Sequence, residues 1–309
     1  MSTLLITHPS GLLHQTPPGH PERADRLRAL DRLFEQEKFC NLLRECAPRA
    51  VREDIIRVHP ADFVDAMAQV CPKEGIIQID ADTVLSPGSW EAALRAVGGA
   101  CYAVDEVVER KVSNAFVAMR PPGHHCEIRR PMGFCLMNQA AIAARHAQAV
   151  HGLDRVAIID FDVHHGNGTQ DIFWADKSVM YCSTHEMPLY PGTGAVSETG
   201  DANTIVNAPL RAGDDGQRFR DAMESVILPR LDAFAPELLI ISAGFDAHVR
   251  DPIASLRLVD TDFGWITRRL MEVAETHCAG RVVSILEGGY DLEGLCVSAS
   301  AHVTALMHG

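Results

Sequence analysis

A mostly parallel central sheet flanked by helices on both faces is the α/β fold class this sequence predicts, and three observations predict it. Short segments rich in β-branched and aliphatic residues alternate with helical patterns along the chain. Those segments are apolar nearly throughout, as strands covered on both sides should be. Four of them run into loops that combine glycine with titratable side chains, and in a parallel sheet such strand ends share the edge where ligands bind.

The strand segments are 3–7, 114–119, 155–160, 178–183, 204–207, 237–242 and 281–286. Pro21 is placed to open a helix at its first position, where a missing N–H is harmless. Helices are expected over 90–108, 136–150 and 262–274. Phe219, Met223, Val226, Ile227, Leu231 and Phe234 fall on one face of a further helix. With no repeat, low-complexity tract or linker-like shift in composition, the 309 residues are expected to form a single domain, 1–309, with a sizeable core.

Composition narrows the function. Hydrophobic residues make up 47% and charged residues 22%, which excludes a disordered chain. The formal charge of −13, from 28 basic and 41 acidic residues, argues against a nucleic-acid partner, and an acidic rim would suit a cationic substrate. No apolar run approaches the roughly 18–20 residues of a membrane helix. The first 15 residues lack a basic and then apolar leader. Nine cysteines without a CxxC pair are expected to be reduced. The expectation is a cytoplasmic protein without a membrane partner.

Chemistry concentrates in the four loops. Arg-Pro-Pro-Gly-His-His occupies 120–125, Phe-Asp-Val-His-His-Gly-Asn-Gly 161–168, Ala-Gly-Phe-Asp 243–246 and Glu-Gly-Gly-Tyr-Asp 287–291. Asp162 and His164, two apart in an extended loop, can point the same way. With Asp246 they offer two carboxylates and one imidazole, which leaves a zinc ion an open position. Ferrous iron suits the same donors. An isolated Asp-x-His is more often a helix cap beside a satisfied loop histidine, and only convergence with the other clusters changes that balance. Of His124 and His125, one could serve as a base while the other stays protonated. Asp160 and Asn167 are the residue types that would orient them. Gly-Gly-Tyr could present the Tyr290 phenol to an oxyanion, although a tight turn explains the same three residues. His8, His14, His146, His277 and His302 show no comparable setting and are read as core or surface.

Together these blocks resemble the zinc-dependent histone deacetylase superfamily, in its class II-like branch, which includes acetylpolyamine amidohydrolases. The resemblance begins at His20-Pro21-Glu22-Arg23 and runs through the loops above, Gly133-Phe134-Cys135, Asn138, Tyr190 to Gly194, Asp251-Pro252 and Glu287 to Tyr290. It implies an arginase/deacetylase-like fold and hydrolysis of acetyl, or longer acyl, amides of lysine. It also implies Asp162, His164 and Asp246 as zinc ligands, His125 as the base that becomes the acid, and His124 paired with Asp160 as electrostatic partner. Tyr290 would stabilise the oxyanion. Asn167 stands where class I members carry aspartate, which leaves His125 with a weaker orienting partner. Two potassium sites are implied, one from Asp160, Asp162, His164, Ser183 and Thr184, the other around Phe173, Asp176, Val179 and Thr204. Phe134 and Tyr190 would wall the substrate channel with Gly133 and Gly288 beside them, and Asp80 or Asp82 would sit at its rim. Ile253 occupies the place where polyamine-selective relatives carry glutamate. That favours an acetylated lysine peptide or protein as substrate over an acetylated small amine. A metal-loaded acyl-lysine reader without turnover is the third alternative, and oligomeric state is left open.

Overall fold

The computed structural model describes residues 2–308. Among these residues ten strands occur in chain order: β1 (Thr3–Thr7), β2 (Leu43–Cys46), β3 (Ile77–Gln78), β4 (Val84–Leu85), β5 (Asn114–Val117), β6 (Val156–Asp160), β7 (Val179–Glu186), β8 (Ile205–Leu210), β9 (Leu238–Ala243) and β10 (Val282–Leu286). Eight form one sheet in the order β2-β1-β5-β10-β9-β6-β7-β8, parallel at every pairing, while β3 and β4 make a small hairpin. This is the expected fold class.

Both faces of the sheet are dry. On one, Leu5, Phe116, Ile159 and Ile241 pack under the helices Asp25–Phe34, Asp260–His277 and Leu292–His308. On the other, Ile6, Val117, Ile158, Ile240 and Ile285 meet the helices Ser89–Val108 and Gln139–His151. Alternate residues go to opposite faces, so two covered faces leave no polar register in the strand. That is why the segments read as continuous apolar runs.

Several boundaries differ from the expectation, each for a local reason. No helix opens at Pro21; the helix starts at Asp25, and the preceding residues bend towards the strand ends. The helix expected from 136 begins at Gln139, because the Asn138 side chain accepts the amide N–H of Ala141 and caps it there. β5 stops at Val117 rather than residue 119. The 219–234 helix contains a π turn at Met223–Ile227. The edge strand β2, the β3–β4 hairpin and the helix Leu292–His308 were not anticipated. β2 is exposed throughout and carries Arg and Glu at its centre, so it has no core pattern to reveal it.

The four strands that lead into the chemistry-bearing loops are β5, β10, β9 and β6, contiguous at the centre of the sheet. β9 and β10, late in the chain, fill the gap between the half containing β1, β2 and β5 and the half containing β6, β7 and β8. All four loops therefore leave the same edge side by side, at the place where ligands bind in open parallel sheets.

Candidate active site

His164 and the two aspartates converge at the centre of that edge. His164 Nδ1 lies 3.2 Å from Asp162 Oδ1 and 3.2 Å from Asp246 Oδ2, and all three side chains are buried. Glycines make the approach possible: a Cβ on Gly244 would stand 2.1 Å from Asp162 Oδ2, and one on Gly288 2.2 Å from Asp246 Oδ2. Burial and the neighbouring Asp162 charge raise the Asp246 carboxyl to about 7. Burial opposes a proton on His164, yet its bonds to Asp162 and Asp246 carry it up to about 10. Two buried carboxylates facing one imidazole demand positive charge between them. The three donors fit a divalent ion with a position left over.

The histidine pair sits beside this group. His124 Nδ1 is 2.9 Å from Asp160 Oδ2, and His125 Nδ1 is 2.8 Å from Asn167 Oδ1. Burial opposes charge on His124, but Asp160, Asp162 and Glu287 overcome it and hold its pKa well above the ordinary histidine value. His125 moves the other way, since burial and the cations His124 and His164 push its pKa well down. Two adjacent imidazoles, with ring centroids 4.0 Å apart, are thus pushed in opposite directions. Since Asn167 Oδ1 accepts the Nδ1 proton, the lone pair of neutral His125 is on Nε2.

A cavity of about 290 Å³ opens above the three donors, lined by Pro21, Asp82, His125, Gly133, Phe134, His164, Leu189, Tyr190, Ile253 and Tyr290. Phe134 meets Tyr290 edge to face at 5.8 Å, and Tyr190 meets His125 at 5.1 Å, so aromatic rings stand on two sides of the floor. Gly133 has φ +57° and a Cβ there would lie 2.4 Å from His125 Cδ2, so the wall closes on the imidazole only because this residue is glycine. Asp82 lines the cavity and accepts the amide N–H of Gly133 at 3.1 Å, whereas Asp80 faces Arg130.

Most residues expected at the site are brought together. Gly288 is the exception: it lies beneath the carboxylates, its N–H donated to Asp162 Oδ2, because the turn after β10 passes under the donors before Tyr290 rises beside them. Asp160, Asp162, His164, Ser183 and Thr184 gather where β6 ends, with Asp160 in register with Ser183 of β7. Phe173, Asp176, Val179 and Thr204 form a second group, in which the Thr204 hydroxyl donates to the Asp176 carbonyl. His146 has a richer setting than expected, held between Asp54 and Asp105.

Other residues of the site have no signature as single letters. Glu287 is fully buried and its Oε2 accepts the amide N–H groups of Gly123 and His124, fixing the histidine turn from below. Asp251 accepts the Tyr290 amide N–H at 2.7 Å. Arg26 donates to the carbonyls of Glu287 and Gly289, lies over the Tyr290 ring, and pairs with Glu22, which also binds Arg120. Glu22, Asp251 and Glu287 do belong to the motif blocks, which is the only trace of these contacts in the sequence.

A histone deacetylase domain model matches residues 20–306 of the chain. The chain is 39% identical to a probable deacetylase of Archaeoglobus fulgidus, in an alignment covering 100% of this chain and 87% of that protein. It is 36% identical to histone deacetylase 14, chloroplastic, of Arabidopsis thaliana, covering 98% of this chain and 76% of that one. It is also 36% identical to a histone deacetylase-like amidohydrolase of Pseudomonas aeruginosa, over 92% of this chain and 77% of the relative. Among solved structures, the crystal structure of the HDA15 HD domain superposes with a TM-score of 0.92 at 36% identity, covering 100% of this chain and 89% of that one. Among the described residues no helix is long and apolar enough to cross a membrane.

Proposed function

The chain belongs to the histone deacetylase family, a family of hydrolases acting on acetylated substrates, and on that premise we propose that it is a zinc-dependent deacetylase of lysine side chains. The observation that carries the reading is the Asp162–His164–Asp246 group at the floor of an aromatic-walled cavity, with His124 held by Asp160 and His125 by Asn167 beside it. Zinc, or ferrous iron in its place, would be held by those three residues. When bound, it supplies Lewis acidity towards the amide carbonyl and the attacking water.

The chain's own groups supply the rest. His125 takes a proton from water at Nε2, because Nδ1 is committed to Asn167, and returns it to the leaving amine. His124 stays protonated against Asp160 and contributes positive charge without moving a proton. Tyr290 donates its phenolic hydrogen to the carbonyl oxygen as negative charge develops there. Phe134 and Tyr190 hold the methylenes of the lysine stem and exclude water, and Asp82 meets the substrate at the rim. Potassium would occupy the two oxygen-rich groups, Asp160, Asp162, His164, Ser183 and Thr184 in one, Phe173, Asp176 and Val179 in the other; hard cations prefer such donors.

The relative named as an amidohydrolase keeps a second reading open, hydrolysis of an acetylated small amine. Ile253 at the cavity favours lysine, since an apolar residue there offers a distant ammonium no partner. The test is turnover of an acetyl-lysine peptide beside N-acetylputrescine and N8-acetylspermidine by the metal-reconstituted protein. Lysine preference is expected. Tyr290→Phe should lower kcat about 10²–10³-fold with little change in KM. Ile253→Glu should raise acetylspermidine turnover relative to acetyl-lysine. A polyamine preference in the unmodified chain would overturn the lysine assignment.

A further inference from the structure

We propose that Asp105, His146 and His151 form a second site for a divalent transition-metal ion, zinc by donor chemistry, at the opposite end of the molecule from the strand-end cavity. Asp105 lies on the helix Ser89–Val108, and both histidines on the helix Gln139–His151. That helix starts near the strand ends, where Asn138 caps it, and its last turn lies roughly 18 Å further along its axis at 1.5 Å per residue. None of the three residues contributes to the site described above.

The geometry is a convergence on one oxygen. Asp105 Oδ1 is 2.7 Å from His146 Nε2 and 2.7 Å from His151 Nε2. The ligand atoms of the three residues all lie within 4.8 Å of one another. The other ring nitrogen of His146, Nδ1, is 2.9 Å from Asp54 Oδ1, and Asp54 is itself paired with Arg57. An imidazole that donates Nδ1–H to a carboxylate is the outer-shell arrangement of metal-ligating histidines: it fixes the tautomer and turns the Nε2 lone pair towards the ion. Here Nε2 is the ring atom that faces Asp105 and His151.

A contact of 2.7 Å between an imidazole nitrogen and a carboxylate oxygen is a hydrogen bond, and it needs a proton between the two atoms. In the ion-free protein, those protons sit on the two Nε2 atoms. One dication would replace both, with small side-chain shifts to open the contacts to ligand spacing. The way in is open, since the Asp105 and His151 side chains are 33% and 12% exposed. Water can complete the coordination on that side. Two imidazoles and one carboxylate suit zinc, nickel or copper far better than calcium or magnesium. Cys101 lies near Asp54 and His146, but burial pushes its thiol well up, so it stays protonated and is not counted as a ligand. Bound there, the ion would tie the helix Ser89–Val108 to the last turn of its neighbour.

The test is metal content. The full chain is stripped with a chelator, reloaded with zinc at pH 7.5, freed of excess metal by gel filtration and measured by inductively coupled plasma mass spectrometry. Two zinc ions per chain are expected in the unmodified protein. One is expected in His151→Ala and one in Asp105→Asn, with deacetylase turnover within twofold of the parent in both. One zinc in the parent protein, or two retained in both variants, would overturn the proposal.

Discussion

In the proposed reaction the work of His125 depends on what its other nitrogen already does. Nδ1 is held by Asn167 Oδ1, a neutral acceptor, while burial, His124 and His164 all disfavour an imidazolium. Placing a carboxylate at residue 167 would stabilise the cation. Asn167→Asp should therefore raise the pKa of the base and move the acidic limb of kcat/KM to higher pH. A shift of about one unit corresponds to ~1.4 kcal/mol of differential stabilisation. A pH–rate profile identical to the parent's would show that the neutral amide does not set this limb. Gly133 is the steric counterpart of the same arrangement: its left-handed φ and missing Cβ let the channel wall lie directly on the imidazole.

At the level of elements, the strand ends are clamped by a buried ionic cluster. Glu22, in the segment ahead of the helix Asp25–Phe34, accepts from Arg120 in the loop after β5 and from Arg26 within the helix. Arg26 then carries the clamp to the carbonyls of Glu287 and Gly289 after β10. Removing one partner leaves two buried guanidiniums short of charge, so Glu22→Gln should cost about 3–5 kcal/mol, read as a lower urea midpoint. Such contacts mark the limit of what the sequence makes legible. Elements with continuous apolar runs, such as β6 and β9, declare themselves because both faces are buried. The convergence of Asp162, His164 and Asp246 follows because strand ends of a parallel sheet share an edge. β2 has no apolar signal, and the hydrogen bonds of Glu287 and Asp251 run to backbone amides that a sequence cannot display. Gly288 went to the floor rather than the channel wall because chain direction through a turn is not written in composition.

The whole molecule holds several histidines neutral in its interior, and that ties its stability to pH. His302 is the clearest: fully buried, bonded to Thr267 Oγ1 at 2.6 Å and Ser284 Oγ at 2.8 Å, its pKa is lowered by burial to about 3. A depressed folded-state pKa means that the unfolded chain takes up the proton first. The stabilisation is complete above the unfolded value of about 6.5 and is lost as pH falls towards the folded one. His302→Gln should therefore reduce the loss of unfolding free energy between pH 7.5 and 5.5 by about 1.4 kcal/mol, one proton over one unit. Urea titrations of both proteins at the two pH values measure it, and equal losses would mean that His302 is not neutral in the native state.

The position of β10 has a further consequence, for biosynthesis. Among the described strands it is the last in chain order, yet it sits between β9 and β5 near the middle of the sheet, and Tyr290 follows in the loop after it. While it is still being made, β5 and β9 each have an unpaired apolar edge facing a slot one strand wide, a template for pairing with another chain. Nascent chains halted before residue 282 would present that slot to chaperones and to one another. Closure of the slot and delivery of Tyr290 to the strand-end cavity are thus one and the same event.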